Sequence, residues 1–303
     1  MSEVPYGFDE DDRTRRLLRS RPPQEALAWV ESALGGRVVA VRALRGGLSS
    51  AMHQVSVTTS DDVIQAVLRR YVRFDPTEPD IAEREARAMG FVAGLPLPTP
   101  RLLAADLAGD ATGVAMLLMS RLPGRVDWRP SDVDGWLRRM AEQLPLVHAA
   151  PLPPPGVIRP FATYRQQCYD VPSWARWPAV WERALELVRG PVPDHQPVFL
   201  HRDFHPGNVL WRRGRVTGVV DWQSASIGPP SVDVGHCRTN LVSYGLDVVD
   251  RFTEFWERAS GQRYDPWADV STTIGWLDGL RDEAPADGHR VEDFLARAVA
   301  ELG

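Results

Sequence analysis

The stretch that most constrains this chain runs from residue 198 to residue 235, VFLHRDFHPGNVLWRRGRVTGVVDWQSASIGPPSVDVG. It reads as a short apolar strand over 198–200, a polar loop, and a second strand over 208–211. A turn at Arg213-Gly214 leads to a third strand over 216–220 that ends on Asp221. Apolar runs broken by glycine and charged residues are hairpin signals. Asp203 and Asn208 stand five residues apart across the loop, and Asp221 follows thirteen later, beyond the hairpin. Folding the hairpin brings Asp221 back beside Asn208, which supplies two oxygen ligands for a hard cation and leaves one carboxylate nearby. Mg²⁺ suits such a set, because it takes few protein oxygens and keeps its other positions for water and phosphate.

Composition narrows the class. A chain of 303 residues holds one large domain or two moderate ones with ample core. Apolar content of 44% and charged content of 25% are those of an ordinary globular protein. The longest apolar runs, such as 114–119, are too short to span a bilayer, so no membrane partner is expected. The opening MSEVPYGFDEDDRTRR shows no apolar signal region, and two cysteines, Cys168 and Cys237, make no disulfide framework. Both point to a cytoplasmic protein with reduced thiols. A net charge of -5 argues against a nucleic-acid partner and fits a cationic small substrate. All 35 basic residues are arginine. Without lysine there is no Walker-A loop and no Schiff-base chemistry, so any grip on phosphate falls to arginine.

The N-terminal third alternates. Residues 1–23 carry mixed charge and are expected to be a mobile tail. A helix over 24–34 ends at Gly35-Gly36, and strands follow over 37–44, 53–58 and 63–71. The loop Arg45-Gly46-Gly47-Leu48-Ser49-Ser50 between the first two strands can lay backbone N–H groups over phosphates, or serve as a plain hairpin turn. The period of two in the third strand puts Val67 and Arg69 on one face and Leu68 and Arg70 on the other. In a helix over 80–93, Ile81, Glu85, Ala88, Met89 and Val92 form one stripe. A carboxylate among apolar neighbours needs a partner, since burying it alone is costly. An apolar strand over 113–119 breaks into Ser120-Arg121-Leu122-Pro123-Gly124. Beyond it the chain turns helical: Leu137, Met140, Leu144 and Val147 stripe one helix that ends near His148. Tyr164, Tyr169, Trp174, Trp177 and Trp181 are core or the wall of a cleft, and further helices are expected over 232–259 and 264–303.

His201-Arg202-Asp203 with Asn208 resembles the catalytic loop of the protein-kinase-like fold, and Asp221 resembles its metal-binding aspartate. His205-Pro206-Gly207-Asn208 and Asp221-Trp222 sharpen this, since protein kinases carry lysine where His205 stands and Phe-Gly after the metal aspartate. The combined pattern is similar to the aminoglycoside phosphotransferase family of small-molecule kinases. The resemblance implies an α+β, protein-kinase-like two-lobe fold, with an N-lobe antiparallel sheet plus helix over 24–120 and a mainly helical C-lobe over 121–303. It implies ATP (with GTP open) and Mg²⁺ as cofactors, Asp203 as the catalytic base, and Asn208 and Asp221 as the metal ligands. It puts Arg69 at the phosphate-contacting basic position, paired with Glu85, and Gly46, Gly47, Ser49 and Ser50 in the phosphate loop. Backbone groups around Ser120 and Leu122 would meet the purine edge, and His205 would lie near the γ-phosphate. His201 would buttress the loop, and Asp233 would cap a helix or hold the loop's backbone. The implied partner is a small molecule bearing a hydroxyl, such as an aminoglycoside or macrolide, with sugars and amino alcohols open; a monomer or weak dimer is expected. Asp265, Asp269, Asp278, Asp282 and Glu283 are candidates to line a cationic acceptor's site.

Two other classes compete. His201, Asp203 and His205 share a strand face and can be read as the ligands of a metal-dependent hydrolase, although Pro206-Gly207 interrupts the strand at once. A nucleotide-binding pseudokinase scaffold would have lost its base or a metal ligand, whereas Asp203, Asn208 and Asp221 are all present. A protein kinase is disfavoured by His205, by Trp222-Gln223 and by the missing Ala-Pro-Glu.

Overall fold

A computed structural model describes residues 12–44, 50–73, 78–163, 170–276 and 288–303. Its N-terminal part contains helices α1 (Asp12–Arg19), α2 (Gln24–Leu34) and α3 (Ile81–Val92). With them come strands β1 (Arg37–Ala43), β2 (Ala51–Thr58), β3 (Val63–Arg70), β4 (Leu102–Asp106) and β5 (Met116–Ser120). The strands pair antiparallel in the order β1-β2-β3-β5-β4. Alternation along β3 sorts its side chains. Ala66 and Leu68 pack with Ala26 and Val30 of α2, while Val67 packs with Ala82 and Met89 of α3. Arg69 therefore faces α3, two residues on from Val67.

The expectation of a mobile tail fails over residues 12–19. These form α1, and its Leu18 is 3% exposed. One buried leucine in a charged octapeptide leaves no period to read, and packing on β2 supplies the rest.

The remaining elements are α4 (Val133–Ala141), α5 (Gln143–His148), α6 (Pro178–Arg189), β6 (Val198–Leu200), a 3₁₀ turn (Pro206–Asn208), β7 (Val209–Arg212) and β8 (Arg215–Val219). They end with β9 (Ser226–Gly228), α7 (Ser231–Ser243), α8 (Val249–Ser260), α9 (Trp267–Trp276) and α10 (Gly288–Glu301). The single helix expected through Leu137 and Val147 is instead α4 and α5, parted at Glu142. Pro145 has no N–H to donate to Ala141, and its ring crowds that carbonyl. β6 pairs with β9 and β7 with β8, both antiparallel. Trp136, Leu137, Phe199, Phe204, Trp222, Phe252 and Trp256 build the main core, and Ala88 and Val92 of α3 enter it. Helix α3 thus ties the sheet to the helical part. Trp181 is core rather than cleft wall: it packs edge-on to Trp174 at 5.7 Å between ring centroids, in a cluster with Val270 and Ile274. Tyr164 and Tyr169 lie outside the described residues. Among the described residues no helix is long and apolar enough to cross a membrane.

Helices α7 and α9 pack with little clearance. A Cβ on Gly235 would stand 2.8 Å from the backbone carbon and oxygen of Ala268. Gly235→Ala is expected to push the helices apart and cost about 1–3 kcal/mol. Thermal unfolding should show a Tm lowered by several degrees, and an unshifted transition would contradict the contact.

Candidate active site

Strand β6 delivers the chain to His201, and the loop that follows is held from below by Asp233, in the first turn of α7. Asp233 is fully buried. One carboxylate oxygen accepts the N–H of His201 at 3.0 Å, and the other accepts the N–H of Arg202 at 2.6 Å. His148, at the end of α5, stands with Nε2 3.0 Å from the same carboxylate. Of the two roles foreseen for Asp233, the structure shows the grip on the loop. Arg202 (φ 71°) and Asp221 (φ 69°) both adopt the left-handed backbone region. For a residue with a Cβ this costs about 1–3 kcal/mol and persists only where surroundings hold it. Asp233 does so for Arg202.

His201 is a buttress with both ring nitrogens committed. Nδ1 accepts the Asp203 N–H at 3.2 Å, which makes Nε2 the protonated nitrogen, and that donates to the Val220 carbonyl at 3.0 Å. Burial lowers its pKa, in keeping with a neutral ring packed 4.4 Å from Trp222. His205 likewise spends Nδ1 on the Gly207 N–H at 3.1 Å. The hydrolase reading fails on these bonds: His201 has no lone pair to offer a metal. Among the described residues no group of three His, Cys, Asp or Glu is placed to hold one.

Asp203 is held at both carboxylate oxygens. His236 Nε2, on α7, lies 2.9 Å from Oδ1. The Asn208 side-chain amide donates to Oδ2 at 3.0 Å and to the Asp203 carbonyl at 2.8 Å. Burial opposes ionisation, but the His236 bond and the neighbouring rings of His205 and His201 outweigh it and hold the carboxyl well below the usual range. His205, with Nε2 3.9 Å from Oδ1, is pushed down to about 4, chiefly by burial. Nothing in the motif pointed to His236. The only sequence signal was its place one helical turn after Asp233.

The Asn208 carbonyl accepts the Val220 N–H at 3.0 Å, which sets Asp221 next to the loop. With its amide nitrogen committed to Asp203, the Asn208 side chain turns its oxygen away from that carboxylate. Asn208 and Asp221 offer hard oxygen donors, one amide and one carboxylate, and this set fits Mg²⁺.

Arg69 joins this loop to the sheet. It is 3% exposed, with Nε donating to Ser50 Oγ at 2.8 Å. Nη1 donates to Glu85 at 2.8 Å and to Asp221 at 2.9 Å, and Nη2 donates to Gln223 at 2.9 Å. The Tyr71 hydroxyl donates to the second Glu85 oxygen. Burial pushes the Glu85 carboxyl up from its ordinary value, against the pull of Arg69.

Other expected positions are redistributed. The Ser50 hydroxyl accepts the Arg69 Nε–H, which leaves its own O–H as a donor, and Gly46, Gly47 and Ser49 lie outside the described residues. Ser120 is tied to the sheet edge: its N–H donates to the Arg101 carbonyl at 2.8 Å and its hydroxyl accepts the Arg101 N–H at 2.9 Å. It has no N–H left for a purine. Leu122 packs against Gly218 of β8, at the junction of the two parts. Asp269 lines no acceptor site, because it is buried against Arg238 at 2.9 Å. Asp265 caps α9 through the Trp267 N–H at 2.9 Å, and Asp278, Asp282 and Glu283 lie outside the described residues.

Residues 40–270 match the model of the phosphotransferase enzyme family. The chain belongs to that family. It is 25% identical over 288 residues to the N-acetylmuramate/N-acetylglucosamine kinase of Pseudomonas aeruginosa, covering 85% of this chain and 78% of that protein. The corresponding kinase of Neisseria meningitidis is 33% identical over 82 residues, 26% of this chain, and the match spans only 24% of that protein's length. Among solved structures, the aminoglycoside phosphotransferase APH(4)-Ia superposes with a TM-score of 0.65 at 18% identity, covering 92% of this chain and 99% of that one. A thermostable mutant of it forms a ternary complex with ADP and hygromycin B, and superposes with a TM-score of 0.63. This member of the family therefore has the protein-kinase-like α+β fold that the motif implied.

Asp233 also sets a pH dependence. Burial opposes its charge, but His148, His201 and the Arg202 N–H outweigh this and lower its pKa from the ordinary 3.8. The unfolded chain then takes up the proton first. The stabilisation is complete above the ordinary value and is lost as pH falls from there through the folded value. Asp233→Asn is expected to be less stable near neutral pH and to lose less stability on acidification below about pH 4. Urea midpoints across a pH series check this, and parallel curves for the two proteins would contradict it.

Proposed function

We propose that the chain transfers the γ-phosphoryl of ATP, with Mg²⁺, to a hydroxyl of a small sugar-based acceptor. The observation that carries this reading is the convergence of Asp203, Asn208 and Asp221 beside the Arg69–Glu85 pair, where the sheet meets the helical part. Phosphoryl transfer asks for positioning and charge stabilisation more than for covalent chemistry, and these groups are suited to both. Asp203 orients the acceptor hydroxyl and takes its proton as the acceptor oxygen bonds to the γ-phosphorus. The bond from that phosphorus to the bridging oxygen breaks, and ADP leaves.

Asn208 and Asp221 would hold Mg²⁺, which neutralises charge across the phosphates. Glu85 anchors Arg69 next to Asp221, and His205 would lie near the γ-phosphate. The Gly46-Gly47 loop with Ser49 and Ser50 would cradle the phosphates, and the purine edge would meet backbone groups around Ser120 and Leu122 other than the Ser120 N–H. A sugar-based acceptor is supported by the amino-sugar kinases among the sequence relatives and by hygromycin B in the related complex.

The test is a panel of N-acetylglucosamine, N-acetylmuramate, hygromycin B, erythromycin and casein, each with MgATP or MgGTP. Phosphorylation of an amino sugar or aminoglycoside is expected. Transfer to casein alone would overturn the reading. Asp203→Ala should retain nucleotide binding while kcat falls by about 10² or more. Asp221→Ala should weaken Mg²⁺-dependent nucleotide binding, and unchanged titration curves would remove it from the metal site.

A further inference from the structure

The bond between His236 and Asp203 is left unused by the motif. Asp233 and His236 lie one turn apart on α7 and so face the same way. The first grips the backbone of the loop at His201 and Arg202, and the second reaches the side chain of Asp203 at 2.9 Å. One rigid helix thus fixes both the backbone and the carboxylate of the same loop. The helix is itself located by the near-contact of Gly235 with Ala268 on α9.

The geometry at Asp203 shows what His236 adds. Asn208 occupies Oδ2, and without His236 the only neighbouring donor on Oδ1 among the described residues would be His205 Nε2 at 3.9 Å, beyond hydrogen-bond reach. The carboxylate would then be braced against rotation about its Cβ–Cγ bond at one oxygen only. With both oxygens held, one orientation of the carboxylate survives, and its remaining lone pairs point to a fixed place.

We propose that His236 is a positioning residue for phosphoryl transfer, locking the Asp203 carboxylate in the orientation that receives the acceptor hydroxyl. This rests on the reading of Asp203 as the base. Misplacing a reacting group by about 1 Å can cost on the order of 10²-fold in rate while leaving distant binding contacts alone. His236 should therefore act on turnover and not on nucleotide affinity.

The test compares His236→Gln, which keeps an N–H donor of similar reach, with His236→Met, which keeps the bulk and loses the donor. Steady-state kinetics use MgATP with N-acetylglucosamine, with MgATP hydrolysis to water as an acceptor-independent readout. His236→Met is expected to lower kcat by about 10- to 100-fold with KM for ATP unchanged, and His236→Gln to recover most of the loss. Added to Asp203→Ala, His236→Met should cause no further loss, because it acts only through that carboxylate. Full activity of His236→Met beside an inactive Asp203→Ala would overturn this proposal alone. A rise in KM matching the fall in kcat, or losses that multiply in the double variant, would overturn it too. An active Asp203→Ala, or a wild type without turnover in either assay, would overturn the base assignment and this proposal together.

Discussion

The buried guanidinium of Arg69 is the interaction on which the two halves of the molecule depend. It meets Ser50, Glu85, Asp221 and Gln223 at once, joining the end of the β1–β2 connection, helix α3 and the loop after β8. A charge in that position must be paired, and its removal would strand Glu85 in an apolar setting. Only a fork of several fixed donors reaches acceptors on four sides, and an ammonium on a single nitrogen would not. In a chain without lysine, arginine at this position brings a geometric consequence of its own: the residue expected to face phosphate also straps the sheet to the loop that bears Asp221.

A second constraint keeps the loops at Arg202 and Asp221 in an unfavourable shape. Left-handed φ values at Arg202 and Asp221 are not local preferences of those residues. Arg202 is held by the Asp233 carboxylate, and Val220, just before Asp221, is held by Asn208 and His201. Each strained position is bracketed by hydrogen bonds from a different element, so the loop moves only if α7, β6 and β8 move together. This rigidity suits a reaction driven mainly by alignment.

Much of this was legible in the sequence where the information was periodic or close in number. The alternation of β3 put Arg69 on one face, the stripe of α3 put Glu85 among apolar residues, and a buried carboxylate requires a partner. The spacing of Asp203, Asn208 and Asp221 across one hairpin was similarly readable. What failed involved tertiary choice. The octapeptide of α1 becomes a helix only against β2. Ser120 ends strand β5 rather than opening a loop, and Arg101 claims its N–H. Asp269 reads as one more surface acid until Arg238, far away in number, is folded against it. His236 had only its place one helical turn after Asp233 to mark it, because a ring's partner depends on how deeply one helix seats beneath a loop.

By itself, the sequence determined the chemistry that is available: an acid, an amide and a second acid at hairpin spacing, with arginine as the only cation for phosphate. Those features are local, and secondary-structure periods of two and 3.6 residues translate them directly into faces. Which oxygen of Asp203 is held, and by what, was decided only in the tertiary structure. A hydrogen bond is won or lost over a few tenths of an ångström, and that margin is set by the packing of α7 on α9, which no short window of residues encodes.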